Sequence, residues 1–190
     1  MADILEIGPG TVEGKSIVFP DADTVDLLNN NATYQASWGY EQLPIPDNMY
    51  KHVFASHVLE HVPWYRIQAA LKEVVRILKP GGVFEVYVPN FDYIVDCYSK
   101  KKCGDTWRVF NKESDWMTWV NGRTFSYGED AVELLSAERP IPQTMHKTIF
   151  TPAYLLANLT KAGFKNASML KIRRYGTSHG PIEMGAIANK

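Results

Sequence analysis

A strand, a helix and a second strand follow one another in residues 52–88, and this succession constrains the fold more than any other feature. The segments 52–56 (HVFAS) and 83–88 (VFEVYV) have strand-forming compositions and are bounded by turn residues. Between them, Lys79-Pro80-Gly81-Gly82 is expected to end a helix. That helix is indicated by an apolar stripe at helical spacing: Ile67, Leu71, Val74, Val75 and Leu78. A βαβ unit of this kind predicts a parallel sheet.

Both ends of the chain extend this pattern. The apolar residues Ile4, Leu5 and Ile7 are followed by Gly8-Pro9-Gly10, as in a buried strand that ends in a turn. Thr151-Pro152 is a typical helix start, and the apolar face that follows ends at Gly163. Segments 167–172 and 181–188 are the last predicted strands, and their short connection makes them antiparallel. The predicted fold class is α/β, a doubly wound, mostly parallel Rossmann-like sheet with an antiparallel last strand and a helical cap insert.

The connection after the first strand is short. Residues 11–20 have a poor composition for a helix, and about fifteen residues separate Gly10 from Asp26. Either the first crossover helix is reduced to a turn, or the first two strands are not parallel neighbours.

Length and composition limit the class of protein. The 190 residues are predicted to form one domain, 1–190, with 91–145 as an inserted helical cap over the carboxyl end of the sheet. A net charge of −1 argues against a broad nucleic-acid footprint. The two cysteines lack zinc-ligand spacing, and no run of eighteen apolar residues or amino-terminal leader pattern occurs. We expect a cytoplasmic protein that binds neither nucleic acid nor membrane.

The glycine turn and a nearby acid suggest a nucleotide-type ligand. Gly8 and Gly10 allow a sharp bend and close approach of a ligand. Gly14 comes four residues after Gly10, not three, which departs from the dinucleotide fingerprint and disfavours a nicotinamide-dependent oxidoreductase. Among the acids that follow, Asp26 sits in the best strand and could accept both ribose hydroxyls.

Several motifs then occur in a familiar order. They are ILEIGPG (4–10), the acid at Asp26, LPIPDN (43–48), FASHVLEHV (54–62), ILKPGGVFEVYVPN (77–90) and KTIFTPAYLLANLTKAGF (147–164). Over residues 2–90 and 145–190 the chain resembles the class I S-adenosylmethionine-dependent methyltransferases. The combination of SHVLEHV with LKPGG is more specific than any glycine motif.

The resemblance implies a cofactor site for S-adenosylmethionine. Its methionine end would be lined by Glu6 and the turn Gly8-Pro9-Gly10, with Ser56 and His57 facing the methionine and the reacting methyl group. Asp26 would hold the ribose, and Leu27 would lie against the adenine.

Two positions depart from the family pattern and put the adenine contacts in question. Gly39 and Lys51 stand where the family usually has aspartates.

The expected chemistry is methyl transfer to a small or medium acceptor. In-line displacement depends on holding the two reactants in line, and a general base helps when the nucleophile carries a proton. The candidate bases are His57 and His146. Glu60 sits directly before His61, which differs from the zinc-protease pattern, so no metal is expected. The alternatives are a non-catalytic nucleoside-binding module of the same fold and the oxidoreductase. Neither the acceptor nor the oligomeric state follows from the sequence.

Overall fold

The computed structural model describes residues 2–11, 13–103, 112–125, 145–176 and 178–190, and its centre is one seven-stranded sheet. The strands are β1 Ile4–Ile7, β2 Asp23–Asp26, β3 Tyr34–Gln35, β4 Tyr50–Ser56, β5 Leu78–Pro89, β6 Lys165–Leu170 and β7 Glu183–Asn189. The α-helices in the described ranges are α1 Ile67–Ile77, α2 Phe91–Lys100, α3 Glu113–Phe125 and α4 Pro152–Ala162. Short 3₁₀ turns occupy Leu59–His61, Trp64–Arg66 and Gly180–Ile182.

The predicted fold class is confirmed. The strand order is β3-β2-β1-β4-β5-β7-β6, and the pairs from β3 to β5 are parallel. β7 lies between β5 and β6 and is antiparallel to both. The predicted hairpin of the last two strands is therefore present, although the bounds of each strand differ from the predicted bounds by about two residues.

β1 and β2 are parallel neighbours, which decides between the two interpretations of the short connection. Leu5 pairs with Asp23 and Ile7 with Val25. No helix lies in residues 8–11 or 13–22, so the crossover is made by turns. The Thr24 hydroxyl donates to the Gly14 carbonyl at 2.6 Å, which ties this connection to β2.

Helices α1 and α4 pack on one face of the sheet and enclose the main apolar core. As predicted, Thr151 caps α4, its hydroxyl accepting from the Tyr154 amide at 3.2 Å, and Gly163 ends the helix with φ +108°. The predicted end of the central helix is wrong. α1 stops at Ile77, because Leu78 is extended and pairs with Tyr50, so Pro80-Gly81-Gly82 belongs to β5.

Loops cover the opposite face of the sheet. Phe19 packs edge-on against His52, Phe54 and Tyr175, with ring centroids 5.0–5.5 Å apart. Glu85 is fully buried on this face, accepts a hydrogen bond from the Tyr87 hydroxyl at 2.5 Å and lies 3.3 Å from a guanidinium nitrogen of Arg174. This face therefore combines aromatic packing with a paired buried charge.

The region predicted as a cap contains α2 and α3. They share a small apolar cluster formed by Ile94, Cys97, Trp116 and Trp119, which Ile182 joins. Residues 104–111 and 126–144, including Trp107, lie outside the described residues, so the 91–145 boundaries stay a prediction. None of the helices in the described part of the chain is long and apolar enough to cross a membrane.

His52 gives a test of the loop-covered face. Burial and the charge of Arg174 lower the pKa of His52 to about 4, below its value of about 6.5 in an unfolded chain. Between these values the unfolded state binds the extra proton, so stability should fall as the pH drops from about 6.5 to 4, by up to ~3 kcal/mol. Urea unfolding across this range should show a smaller drop for His52→Phe than for the wild type. Parallel curves would contradict this account.

Candidate functional site

A pocket opens at the carboxyl ends of β1 and β2, next to the segment that follows β4. Its apolar walls include Ile7, Val25, Leu27 and Val62. Polar groups enter from Asp26 at the tip of β2 and from Lys147. Ligands bind at this edge of doubly wound sheets, since the strands end there and the connections diverge.

The glycine turn forms one side of this opening. Gly8 has φ +69°, and its amide donates to the Val25 carbonyl at 2.8 Å. A Cβ atom on Gly8 would stand 2.4 Å from Val58 Cγ2, so the strand tip packs directly on the segment after β4. Gly10 also has positive φ, of +65°, but a Cβ there would meet nothing within 4 Å. Gly8 is thus required by packing, whereas Gly10 borders open space.

Asp26 lies where the sequence predicted. Its Oδ1 accepts from the amides of Leu28 and Asn29, at 2.8 and 3.0 Å, which fixes the carboxylate in its own turn. The side chain lines the pocket, and Leu27 beside it is 41% exposed. A carboxylate held in this way can accept hydrogen bonds from a diol.

Five predicted cofactor contacts do not line this pocket, and His57 is one of them. Glu6 is buried on the loop-covered face, where burial raises its pKa. The Ser56 hydroxyl accepts from Arg173 at 2.8 Å, on the same face. Pro9 and Gly10 continue the turn beyond Gly8 without lining the pocket. Contact of these residues with a cofactor stays a prediction.

His57 is held between two carboxylates. Its Nε2 is 3.0 Å from Glu183 and its Nδ1 is 3.3 Å from Glu60. Burial opposes protonation of the ring, but the two carboxylates outweigh it and raise the pKa of His57 to about 9. At this pKa the ring is an imidazolium near neutral pH and lacks the lone pair that a general base needs. The catalytic role of His57 stays a prediction, which this protonation state does not favour.

His146 stands in a different environment. Its side chain is 7% exposed, and its Nε2 lies 4.0 Å from Glu60 Oε1. Burial lowers the pKa of His146, so the ring is neutral near neutral pH. Its ring centroid is 5.1 Å from that of His61, which lines the pocket. Of the two predicted bases, His146 keeps the protonation state that the role needs.

The sequence interpretation missed the pocket wall beyond β3. Ser37, Trp38 and Tyr40 line the pocket, and the Trp38 indole donates to the Ala70 carbonyl at 2.8 Å. The only signal was their closeness to Gly39, noted as a departure from the family pattern. A Cβ on Gly39 would lie 2.9 Å from Val62 Cγ1, so an aspartate does not fit there.

Lys51, the second departure from the family pattern, lies away from the pocket. Lys51 pairs with Asp3 at 2.8 Å near the amino ends of β1 and β4. Its side chain therefore has no part in the adenine end of the site.

Comparison with known proteins shows a similarity to methyltransferases. Residues 14–86 match the family model described as a methyltransferase domain. Solved S-adenosylmethionine-dependent methyltransferases share the whole fold. The chain is similar to the class I S-adenosylmethionine-dependent methyltransferases in this segment and in its fold. S-adenosylmethionine is the cofactor that this similarity implies.

Curated relatives match only part of this chain. Sterol 24-C-methyltransferase of Aspergillus fumigatus is 32% identical over 104 residues, 44% of the chain and 27% of that protein. Uncharacterized protein YafE of Escherichia coli is 38% identical over 101 residues, 50% of the chain and 46% of that protein. The ubiquinone/menaquinone biosynthesis C-methyltransferase of Methylobacterium nodulans is 36% identical over 84 residues, covering 41% and 29%. The chain therefore spans less than half the length of these relatives.

Solved structures match over the full fold at low identity. A methyltransferase from Thermotoga maritima superposes with a TM-score of 0.56 at 16% identity, covering 100% of this chain and 83% of that one. A methyltransferase from Mesorhizobium loti gives a TM-score of 0.54 at 13% identity, covering 98% and 90%. These likenesses concern the fold.

The residues present fit the family's cofactor. An apolar slot with a fixed carboxylate at one strand tip suits an adenine ring attached to a ribose. A pyrophosphate, in contrast, is favoured by a helix amino terminus directly after the glycine turn, and residues 8–11 and 13–22 contain no helix. The site thus suits S-adenosylmethionine better than a nicotinamide dinucleotide.

The two glycines of the turn give a matched pair of variants. Gly8→Ala combines left-handed backbone strain with a clash against the stiff Val58 side chain, so it should lower the free energy of unfolding by about 2–5 kcal/mol. Gly10→Ala carries the strain alone and should lower it by about 1–2 kcal/mol. Urea unfolding of both variants measures the difference. Equal losses would show that the Gly8–Val58 contact is unimportant.

Proposed function

We propose that this chain transfers the methyl group of S-adenosylmethionine to a small or medium-sized acceptor. The observation that carries the proposal is the position of Asp26. Its carboxylate is held at the tip of β2 by two amides, at the edge of an apolar pocket that begins at the Gly8 turn. Hydroxyl donors of a ribose satisfy such a carboxylate, and the slot beside it accommodates an aromatic base.

The pocket residues have separable tasks. Asp26 would orient the sugar, while Leu27 and Trp38 would shield the base from water. When bound, S-adenosylmethionine supplies a methyl group on a sulfonium, which leaves to a nucleophile placed in line with the carbon–sulfur bond. Fixing the donor on rigid strand ends reduces the freedom that the two reactants must lose, which supports catalysis without a covalent intermediate.

A proton-bearing acceptor would need a base, and His146 supports that role better than His57. The imidazolium of His57 instead ties the end of β4 to Glu183 at the start of β7, so we assign it a positioning role. His146 is neutral and its ring contacts that of His61 at the pocket wall. His146 would accept the proton of the acceptor at this wall of the pocket.

The relatives and the net charge bear on the class of acceptor. Two of the relatives are named as a sterol and a ubiquinone/menaquinone C-methyltransferase, which favours a small-molecule acceptor here. A net charge of −1 offers no broad surface for nucleic acid. The proposal includes neither a nucleic-acid nor a membrane partner, and the expected cytoplasmic location rests on the sequence alone.

A non-catalytic nucleoside-binding role is the second candidate. The protonated state of His57 favours it, because the histidine nearest the end of β4 is not a base. Turnover separates the two roles: accumulation of S-adenosylhomocysteine with any acceptor in a broad screen supports transfer, whereas cofactor binding without turnover supports the second role.

Asp26→Asn tests the cofactor site. Asparagine keeps an oxygen for the amides of Leu28 and Asn29, so the turn should persist, but the charge and one acceptor oxygen are lost. Hydrogen bonds to charged groups contribute about 1.5–3 kcal/mol, so the Kd for S-adenosylhomocysteine should rise by about 10–150-fold in isothermal titration.

Asp21→Ala is the matched control, because Asp21 is an exposed acid that precedes β2 and does not line the pocket. It should bind S-adenosylhomocysteine like the wild type. Failure of the wild type to bind this compound or S-adenosylmethionine at millimolar concentration would refute the proposed function.

A further inference from the structure

Three side chains of types that can bind a metal, Glu60, His61 and His146, converge near the carboxyl end of β4. Glu60 and His61 belong to the 3₁₀ turn after β4, and His146 comes from a distant segment. The Lys147 and Thr148 amides donate to the Glu60 carbonyl, at 2.7 and 3.1 Å, which fixes that segment against the turn. One donor atom from each of Glu60, His61 and His146 lies within 4.8 Å of the others.

Within the described structure, two members of this cluster carry buried polar atoms without hydrogen-bond partners. The Glu60 side chain is 1% exposed, and neither of its carboxylate oxygens is hydrogen bonded. The same holds for Nε2 of His146, 4.0 Å away. His57 Nδ1 approaches Glu60 Oε1 to 3.3 Å as an ion pair without hydrogen-bond alignment. Buried polar atoms without partners are rare in folded proteins, and a bound ion would satisfy both the carboxylate and the imidazole.

We propose that Glu60, His61 and His146 bind a divalent transition-metal ion. Two imidazoles and one carboxylate form a donor set that suits Zn²⁺, Fe²⁺, Co²⁺ or Mn²⁺. Metal–ligand bonds of about 2.1 Å place donors roughly 3.4 Å apart. The 4.0 Å distance between Glu60 and His146 would have to shorten by roughly 0.6 Å, and a pair at the 4.8 Å limit by roughly 1.4 Å, which side-chain rotation can supply.

His61 shows the orientation that a metal ligand needs. Its Nδ1 lies 3.2 Å from the carbonyl oxygen of Met145, and donation to that carbonyl places the ring lone pair on Nε2. Metal-binding histidines commonly donate their other ring nitrogen to a backbone carbonyl in this way, which fixes both tautomer and ring plane.

A neighbouring cluster of His57, His179 and Glu183 is geometrically similar but chemically different. The Glu183 carboxylate already accepts from Arg173 and from His57. An arginine on the carboxylate supplies the positive charge that an ion would bring, and it repels a cation. Within the described ranges the carboxylate of Glu60 pairs with the histidines His57 and His146 and with no arginine, which distinguishes its cluster as the metal site.

The proposed ion would stand beside the cofactor pocket, since His61 lines both. Its binding needs only the protein and the metal, so this inference does not depend on the proposed methyl transfer. With the ion bound, the lone pair of His146 Nε2 is occupied, so this nitrogen would act as a base only in the metal-free protein. The two can fail separately: titration with S-adenosylhomocysteine tests the pocket, and titration with metal tests the cluster.

The experiment is a metal titration of the full chain after treatment with a chelator. Co²⁺ should bind with a stoichiometry of one, give visible d–d absorption bands, and be displaced by Zn²⁺. Glu60→Gln and His146→Ala should each weaken Co²⁺ binding at least ~100-fold, since even outer-shell changes weaken metal sites by 10–100-fold. Metal should raise the Tm of the wild type but not of these variants.

His179→Ala is the control, because it removes a histidine from the neighbouring cluster only. It should keep Co²⁺ affinity within about threefold of wild type. Circular dichroism and S-adenosylhomocysteine binding check that His146→Ala is folded, and His146→Gln provides a variant that keeps a polar side chain. Wild-type protein that binds neither Co²⁺ nor Zn²⁺ below millimolar concentration would overturn the proposal. Unchanged affinity in folded Glu60→Gln and His146→Gln would do the same.

Discussion

The close approach of the β1 tip to the segment after β4 is the contact on which the rest of the structure depends. Gly8 takes a left-handed backbone conformation and leaves no room for a side chain against Val58. The chain can therefore turn sharply at the end of β1 while its amide still bonds to β2. The same contact brings Val58 and His61 to the pocket that Asp26 borders. The pairing of β1 with β2 and the shape of the pocket therefore both require that residue 8 has no side chain.

Much of the fold could be predicted because its signals are local. The apolar stripe of α1, the Thr151 cap of α4 and the strand composition of β4 each depend on a few neighbouring residues. The end of α1 could not be predicted in this way. Pro80-Gly81-Gly82 is a valid helix terminator, but the pairing of Leu78 with Tyr50 moved the boundary upstream, and such pairing is a tertiary effect.

The site was predictable only in part, for a related reason. The position of Asp26 was predictable because it ends a strand. The alternation of side chains along β1 could also have shown that Glu6 and Ile7 lie on opposite faces of the sheet. The state of His57 could not be foreseen, since Glu183, its partner, is 126 residues away in the chain. Likewise, only the folded structure brings His146 to Glu60. Long-range pairing decides protonation, and local sequence patterns do not contain it.

Glu60 and Glu183 show how strongly such pairing differentiates identical groups at one sheet edge. His57 lies between them and its charge is shared, but Arg173 adds a second cation to Glu183 alone. Burial opposes ionisation of Glu183, yet His57 and Arg173 keep its pKa below the usual value. The Glu60 side chain is also buried, but fewer positive charges offset the cost of burying its carboxylate. Its cluster contains two imidazoles, those of His61 and His146, instead of a guanidinium. An excess of donor atoms over positive charge is the condition under which a buried site favours a cation.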